Sequence, residues 1–266
     1  MEVKGVEKNK LNILNKFFSR NTFRHCYEEG YDKIYGQVIK KYINYDSTKT
    51  NSELVSEIYN ILKTEYRNEY YYKNTLLNKL LLGIHSVNTT TALTEIPIAK
   101  SKADFVLING KAVVYEIKTE LDNLERLESQ INDYFKAFDH VAVVTYNENV
   151  TAIQKPEKYR NALDSKIIYK ILRKPEYEEI ILNKYGFLPN VSAFEYYSEC
   201  RKLFEKMPIE ESYEWVLKLL KKRTKIIKNE YKEIPYELKF LAYFMDLKSE
   251  DYEKIRCFLN QAYGGV

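Results

Sequence analysis

The chain has 266 residues, room for one large domain or a core with an attached subdomain, and 45% of them are hydrophobic, too many for a disordered protein. With only 8 Gly and 6 Pro, a loop-rich all-β protein is disfavoured and a mostly helical one expected. A net charge of +4 permits a polyanionic partner without demanding one.

In chain order, the start "MEVKGVEKNKLNILNKFFSRN" has no sustained apolar core and no small-residue cleavage site, so a secretory signal is not expected. Residues 1–64 read as a helical region. Within it "INYDSTKTNSELV" (Ile43 to Val55) reads as a loop ending in a helix cap at Ser52, with Leu54, Val55, Ile58 and Leu62 forming the apolar face. A second helix runs through "EYRNEYYYKNTLLNKLLLG", with Gly83 expected to close it.

The period then changes. "ALTEIPIAKSKADFVLINGKAVVYEIK" alternates Val- and Ile-rich runs and reads as strands. "ELDNLERLESQINDYFKAF" follows as a long helix, with Leu121, Leu124, Leu127, Ile131, Tyr134, Phe135 and Phe138 on one face. "HVAVVTY" has the uninterrupted apolar run of a strand covered on both sides. Residues 65–148 are therefore expected to form an α/β core, and 149–266 a helical region punctuated by Pro156, Pro175, Pro189, Pro208 and Pro235. The basic run "LKLLKKRTKIIKNEYK" reads most simply as a solvated helix face.

Cys26, Cys200 and Cys257 are scattered, with no Cys-x-x-Cys, which speaks against a disulfide framework or structural zinc and fits a reducing cytoplasm. No apolar run is long enough to cross a bilayer, so no membrane partner is expected. The 25 tyrosines bring apolar rings whose hydroxyls need partners.

Three ionisable residues interrupt the apolar strands: Asp104, Glu116 and Lys118. Buried charges are costly unless paired or bound to metal. Glu116 and Lys118, two apart on a strand, share a face. Asp104 joins them only in one of two hairpin registers. A two-residue Asn109-Gly110 loop pairs Ile108 with Lys111 and turns Asp104 away. A three-residue loop pairs Ile108 with Ala112, sets Asp104 opposite Glu116, and brings their Cβ atoms to ~5 Å.

The clustered register, or a bulge that restores it, is the one expected. Two carboxylates that close need a cation between them, and oxygen-only ligands suit Mg²⁺ or Mn²⁺. Lys118 would then meet a phosphate oxygen or orient a water. Glu-x-Lys alone says little, since Glu2–Lys4 and Glu230–Lys232 repeat it, but only the middle copy lies in an apolar strand after an Asp-bearing one. On the next helix Arg126, Gln130 and Tyr134, spaced i, i+4, i+8, line one flank of the apolar stripe.

Asp104, "EIK" (Glu116 to Lys118) and "QINDY" (Gln130 to Tyr134) together resemble the PD-(D/E)xK nuclease superfamily, and the trailing Gln-x-x-x-Tyr is similar to its RecB-type branch. The wider pattern from about Arg67 to "LKLLKKR" resembles a bacterial group of predicted nucleases found in phage-related settings. The resemblance implies an α/β restriction-endonuclease-like core, a mixed central sheet flanked by helices, with N- and C-terminal helical extensions.

It also implies Mg²⁺- or Mn²⁺-dependent phosphodiester hydrolysis on nucleic acid, with DNA the expected substrate. Asp104 and Glu116 would hold the metal, Lys118 would assist, and Gln130 and Tyr134 would shape the site or contact substrate, with Arg126 beside them. Glu69, in "RNEY", matches a further acidic ligand of the family, and equally suits an ion pair with Lys73; Glu95 is a weaker candidate. Ala103 stands where the motif's Pro would be, and only "VTAI" is available for a further strand. The rival readings are a nuclease fold that binds without cutting, and a partner-docking protein acting through its Tyr-rich helices.

Overall fold

The computed structural model describes residues 13–43, 48–120, 122–146, 150–153, 157–159, 161–190, 192–225 and 227–264. The expected loop residues 44–47, the expected helix residue Leu121, Pro156 and the Glu2–Lys4 copy of Glu-x-Lys lie outside them. After a helical stretch over residues 13–17 come helices α1 (Arg20–Glu29), α2 (Lys33–Tyr42), α3 (Asn51–Thr64) and α4 (Glu69–Leu76), α4 running on as a π-helical segment, Leu77–Ile84. Strands β1 (Thr91–Ile98), β2 (Ser101–Asn109) and β3 (Lys111–Lys118) follow, then α5 (Leu127–Tyr134), β4 (His140–Thr145) and β5 (Val150–Ile153). The remaining α-helices are α6 (Ser165–Ile168), α7 (Lys174–Tyr185), α8 (Ala193–Phe204), α9 (Ile209–Lys221), α10 (Lys239–Phe244) and α11 (Ser249–Asn260). No helix among the described residues is long and apolar enough to cross a membrane.

Two units emerge, Met1–Leu80 with Ile227–Val266, and Leu81–Ile226. The regions expected from the sequence are thus distributed differently: the last 40 residues join the N-terminal helices, and the helices after β5 up to α9 stay with the sheet.

In the first unit several tyrosines, Tyr35 and Tyr70 among them, are core residues. Phe18 stacks on Tyr70, and Phe17 on Tyr35. The Tyr35 hydroxyl donates to buried Asn51 (2.8 Å), whose amide donates to the Phe258 carbonyl of α11 (2.9 Å). Tyr70 donates to the Glu237 carbonyl at 2.6 Å. Tyr35 and Tyr70 are thus buried with their hydroxyls satisfied, and these bonds join the chain's two ends. Helix α3 is capped at Thr50, two residues before the expected Ser52: Thr50 and Glu53 bond each other's backbone N–H groups. That reciprocal box needs a Glu three residues after the cap, and Ser52 is followed there by Val55. Gly83 does not close the second helix; it lies inside the π-helical segment.

The second unit carries a mixed sheet in the order β1-β2-β3-β4-β5. The first three strands form an antiparallel meander, α5 crosses over to β4 parallel to β3, and β5 returns antiparallel. Gly110, at φ +74°, sits at the hairpin tip between Asn109 and Lys111, and Ile108 faces Ala112. This is the three-residue-loop register. Val106, Ile108, Ala112 and Val114 pack with Tyr134, Phe135 and Phe138 and with the helices from α6 to α9. In the basic run, Leu219 and Leu220 are buried, and Arg223 pairs with Glu176 of α7 at 2.6 Å, so this segment is partly a packing element rather than a wholly solvated face.

Nothing lies within 4 Å of a Cβ built on Gly110, so only its left-handed backbone resists a side chain. Gly110→Ala should cost about 1–2 kcal/mol, read as a lower urea midpoint with unchanged slope.

Candidate functional site

Glu116 lies in the sheet interior, level with Val143 of β4, and is 1% exposed. A carboxylate there must be compensated. Lys118 Nζ donates to its Oε1 at 2.6 Å and to Gln130 Oε1 at 2.9 Å. The fully buried Tyr134 hydroxyl is shared between Glu116 Oε2 (2.5 Å) and the Lys102 carbonyl (3.1 Å). Burial, then the hydrogen bond to Glu116 and the negative charges of Glu116 and Asp104, push the Tyr134 phenol far above its ordinary range, which keeps it a donor.

Asp104 occupies an irregular point of β2. The β1–β2 ladder has Thr94↔Phe105 and then Ile96↔Ala103, passing over the Glu95–Asp104 position. The β2–β3 ladder stops at Phe105↔Tyr115, one residue before Asp104 comes level with Glu116. Side-chain bonds stand in for the ladder: Asp104 Oδ2 accepts from the Ile117 N–H, and the Asp104 carbonyl accepts from Thr94 Oγ1, each at 2.8 Å.

Glu95, at φ +58°, supplies the irregularity in β1. Leu93, Ile96 and Ile98 all join one core, although strict alternation would turn Leu93 away from the other two. Glu95 pairs with Lys102, and a carboxylate oxygen of Glu95 lies within 4.8 Å of one of Asp104.

Helix α5 is shorter than the sequence implied. Asp122 accepts from the Thr119 N–H and Asn123 from the Glu125 N–H, so local side-chain bonds build a turn where helix was expected. Leu124 consequently stands 59% exposed rather than on the apolar face. Arg126 is exposed in a 3₁₀ turn, its carbonyl accepting from Ser129, and it does not join the Glu116 network. Glu69, in the first unit, makes the i,i+4 ion pair with Lys73 at 2.5 Å. The Glu230–Lys232 copy of Glu-x-Lys sits in a 3₁₀ segment, not a strand.

Asp133 was not legible as a site residue, since an Asp beside a core Tyr on a helix reads as solvated. It is buried, and accepts from the Lys100 N–H (3.2 Å), Ser101 Oγ (2.8 Å) and Lys136 Nζ (2.6 Å). Burial opposes its charge, but bonds from Lys136, Ser101 and the Lys100 amide outweigh burial and hold its carboxyl below the usual range.

The family model described as Bacteriophage P4 protein cII matches residues 62–155, about a third of the chain, spanning the sheet and α5. No curated protein and no solved structure matches the chain.

Removing one partner of the buried pair should be costly. Lys118→Met should lose about 3–5 kcal/mol, and adding Glu116→Gln should return most of it, measured by urea unfolding of the single and double variants. Asp133 gives a pH signature. Its folded pKa lies below the unfolded 3.8, so its contribution is fully present above that pH and disappears as pH falls through the folded value. The stability gap between wild type and Asp133→Asn should therefore be full at pH ~6 and shrink below pH ~4.

Proposed function

We infer that this protein is a divalent-metal-dependent nuclease acting on DNA. One observation carries the reading: an acid on β2 and an acid and an amine on β3 lie at the same end of a mixed sheet, tied to a Gln-x-x-x-Tyr helix that crosses over to the parallel strand β4. That arrangement fits the restriction-endonuclease-like core that the PD-(D/E)xK resemblance implies. The match to a phage protein family agrees with the phage-related setting.

The donors fit the metal expected. Asp104 and Glu95 approach within 4.8 Å, Glu116 stands on the adjoining strand, and all three offer oxygen, the ligand atom Mg²⁺ and Mn²⁺ prefer. When bound, such an ion neutralises charge developing on a phosphate and makes a water easier to deprotonate.

The chain's own residues do the rest. Tyr134 and Lys118 compensate and orient Glu116. Gln130 fixes the Lys118 ammonium, whose charge suits a phosphate oxygen. Asp104 is steadied by the Ile117 amide.

Plasmid and single-stranded DNA incubated with Mg²⁺ or Mn²⁺ test the reading. Wild type should cut, and Asp104→Ala, Glu116→Gln and Lys118→Ala should each lose about a hundredfold or more. Equal cutting by all four proteins, or none by wild type in either metal, would reject it.

A further inference from the structure

The tip of the β1–β2 hairpin overhangs the sheet. Pairing with β3 ends at Phe105↔Tyr115, so residues 101–103 of β2 have only β1 as a ladder neighbour, through Ile98↔Ser101, Pro97↔Lys102 and Ile96↔Ala103. The overhang is weak at its root as well, because Glu95 breaks the β1 ladder opposite Asp104. A two-stranded ribbon of this kind is marginal by itself. Ile96, Ile98 and Ala103 bury its apolar face in the core, and helix α5 supplies its polar fastening: Asp133 takes the Lys100 N–H and the Ser101 hydroxyl at the tip, and the Tyr134 hydroxyl takes the Lys102 carbonyl.

We propose that Asp133 is a positioning residue that clamps the hairpin tip to α5 and thereby holds the Asp104 carboxylate against the Ile117 amide of β3. The proposal rests on the nuclease reading for its consequence in catalysis, but its structural half stands apart. A freed tip pivots about the Glu95–Asp104 break, and the first bond lost is that between Asp104 Oδ2 and the Ile117 N–H. The third Asp133 partner, the half-exposed Lys136 ammonium, bonds the other carboxylate oxygen, Oδ1, whereas both bonds from the turn go to Oδ2. Its loss should spare the clamp.

Hydrogen exchange on the full chain, with cleavage assays in Mn²⁺, separates the possibilities. Asp133→Ala should raise exchange at the Ile117 amide about tenfold or more while the β4 amides keep their protection. Asp133→Asn, which keeps an acceptor oxygen, should recover part of it, and Lys136→Met should match wild type. In cleavage, Asp133→Ala should lower kcat with little change in KM.

If Asp133→Ala fails to fold, Ser101→Ala, which removes one donor, should raise Ile117 exchange in the same local manner. Unchanged Ile117 exchange in a folded Asp133→Ala or Ser101→Ala chain overturns the clamp. So does exchange that rises equally in β4, which marks general loosening. A wild type that cuts no DNA but gives the expected exchange pattern overturns the nuclease reading alone and leaves the clamp standing.

Discussion

The site depends on a carboxylate held almost wholly out of bulk water. Glu116 sits in a central strand with neighbours on both sides, and its charge is tolerated because an ammonium and a phenol take its two oxygens. Such a pair is poor evidence for stability, since a well-packed apolar pair would serve as well or better. Its presence in a strand of Val and Ile is therefore better explained by what the charges do than by what they stabilise. The surrounding residues follow from that demand: Gln130 satisfies a second Lys118 proton, and the Tyr134 hydroxyl links Glu116 to the backbone of β2.

Around this fixed point the strands are not equally secure. β3 is held by ladders to β2 and β4 along most of its length, whereas β2 at Asp104 lies between the end of one ladder and the interruption of another. A non-glycine residue at positive φ is costly, and Glu95 accepts that conformation directly beside Asp104. The irregular backbone thus coincides with the acids in β1 and β2, and the regular backbone with the acid and amine in β3. One side of the site is rigid by ladder, the other by side-chain bonds.

Much of this was legible in the sequence because it is local. Alternating Val and Ile runs defined the meander, Asn109-Gly110 located the turn, and the uninterrupted "HVAVVT" marked β4 as covered on both faces. The hairpin register needed one further constraint, that charges buried in neighbouring strands should cluster. What stayed hidden is nonlocal or backbone-borne. Nothing in "TEIPI" announces that Glu95 breaks a strand, and nothing in "NDY" says that Asp133 meets a turn some thirty residues earlier. The helix at Leu124 was misjudged because apolar spacing persisted while Asp122 and Asn123 captured the backbone for a turn. The pairing of the first 80 residues with the last 40 rests on contacts such as Tyr35–Asn51–Phe258, which no local pattern encodes.

The spacing of the two motifs has a geometric reason. Glu116 and Lys118, two residues apart on a strand, are separated by ~6.6 Å along it. Gln130 and Tyr134, four apart on a helix, are separated by ~6 Å along the axis and lie on one side of it. The two rulers agree to within the slack of a side chain. Because α5 runs back across the sheet after β3, the order reverses, so Lys118 meets Gln130 and Glu116 meets Tyr134. A spacing of two or five on the helix would rotate one partner off the shared face, and a spacing of one or three on the strand would turn one charge through the sheet. Glu-x-Lys and Gln-x-x-x-Tyr are thus two halves of one measurement, and each gains its meaning from the other.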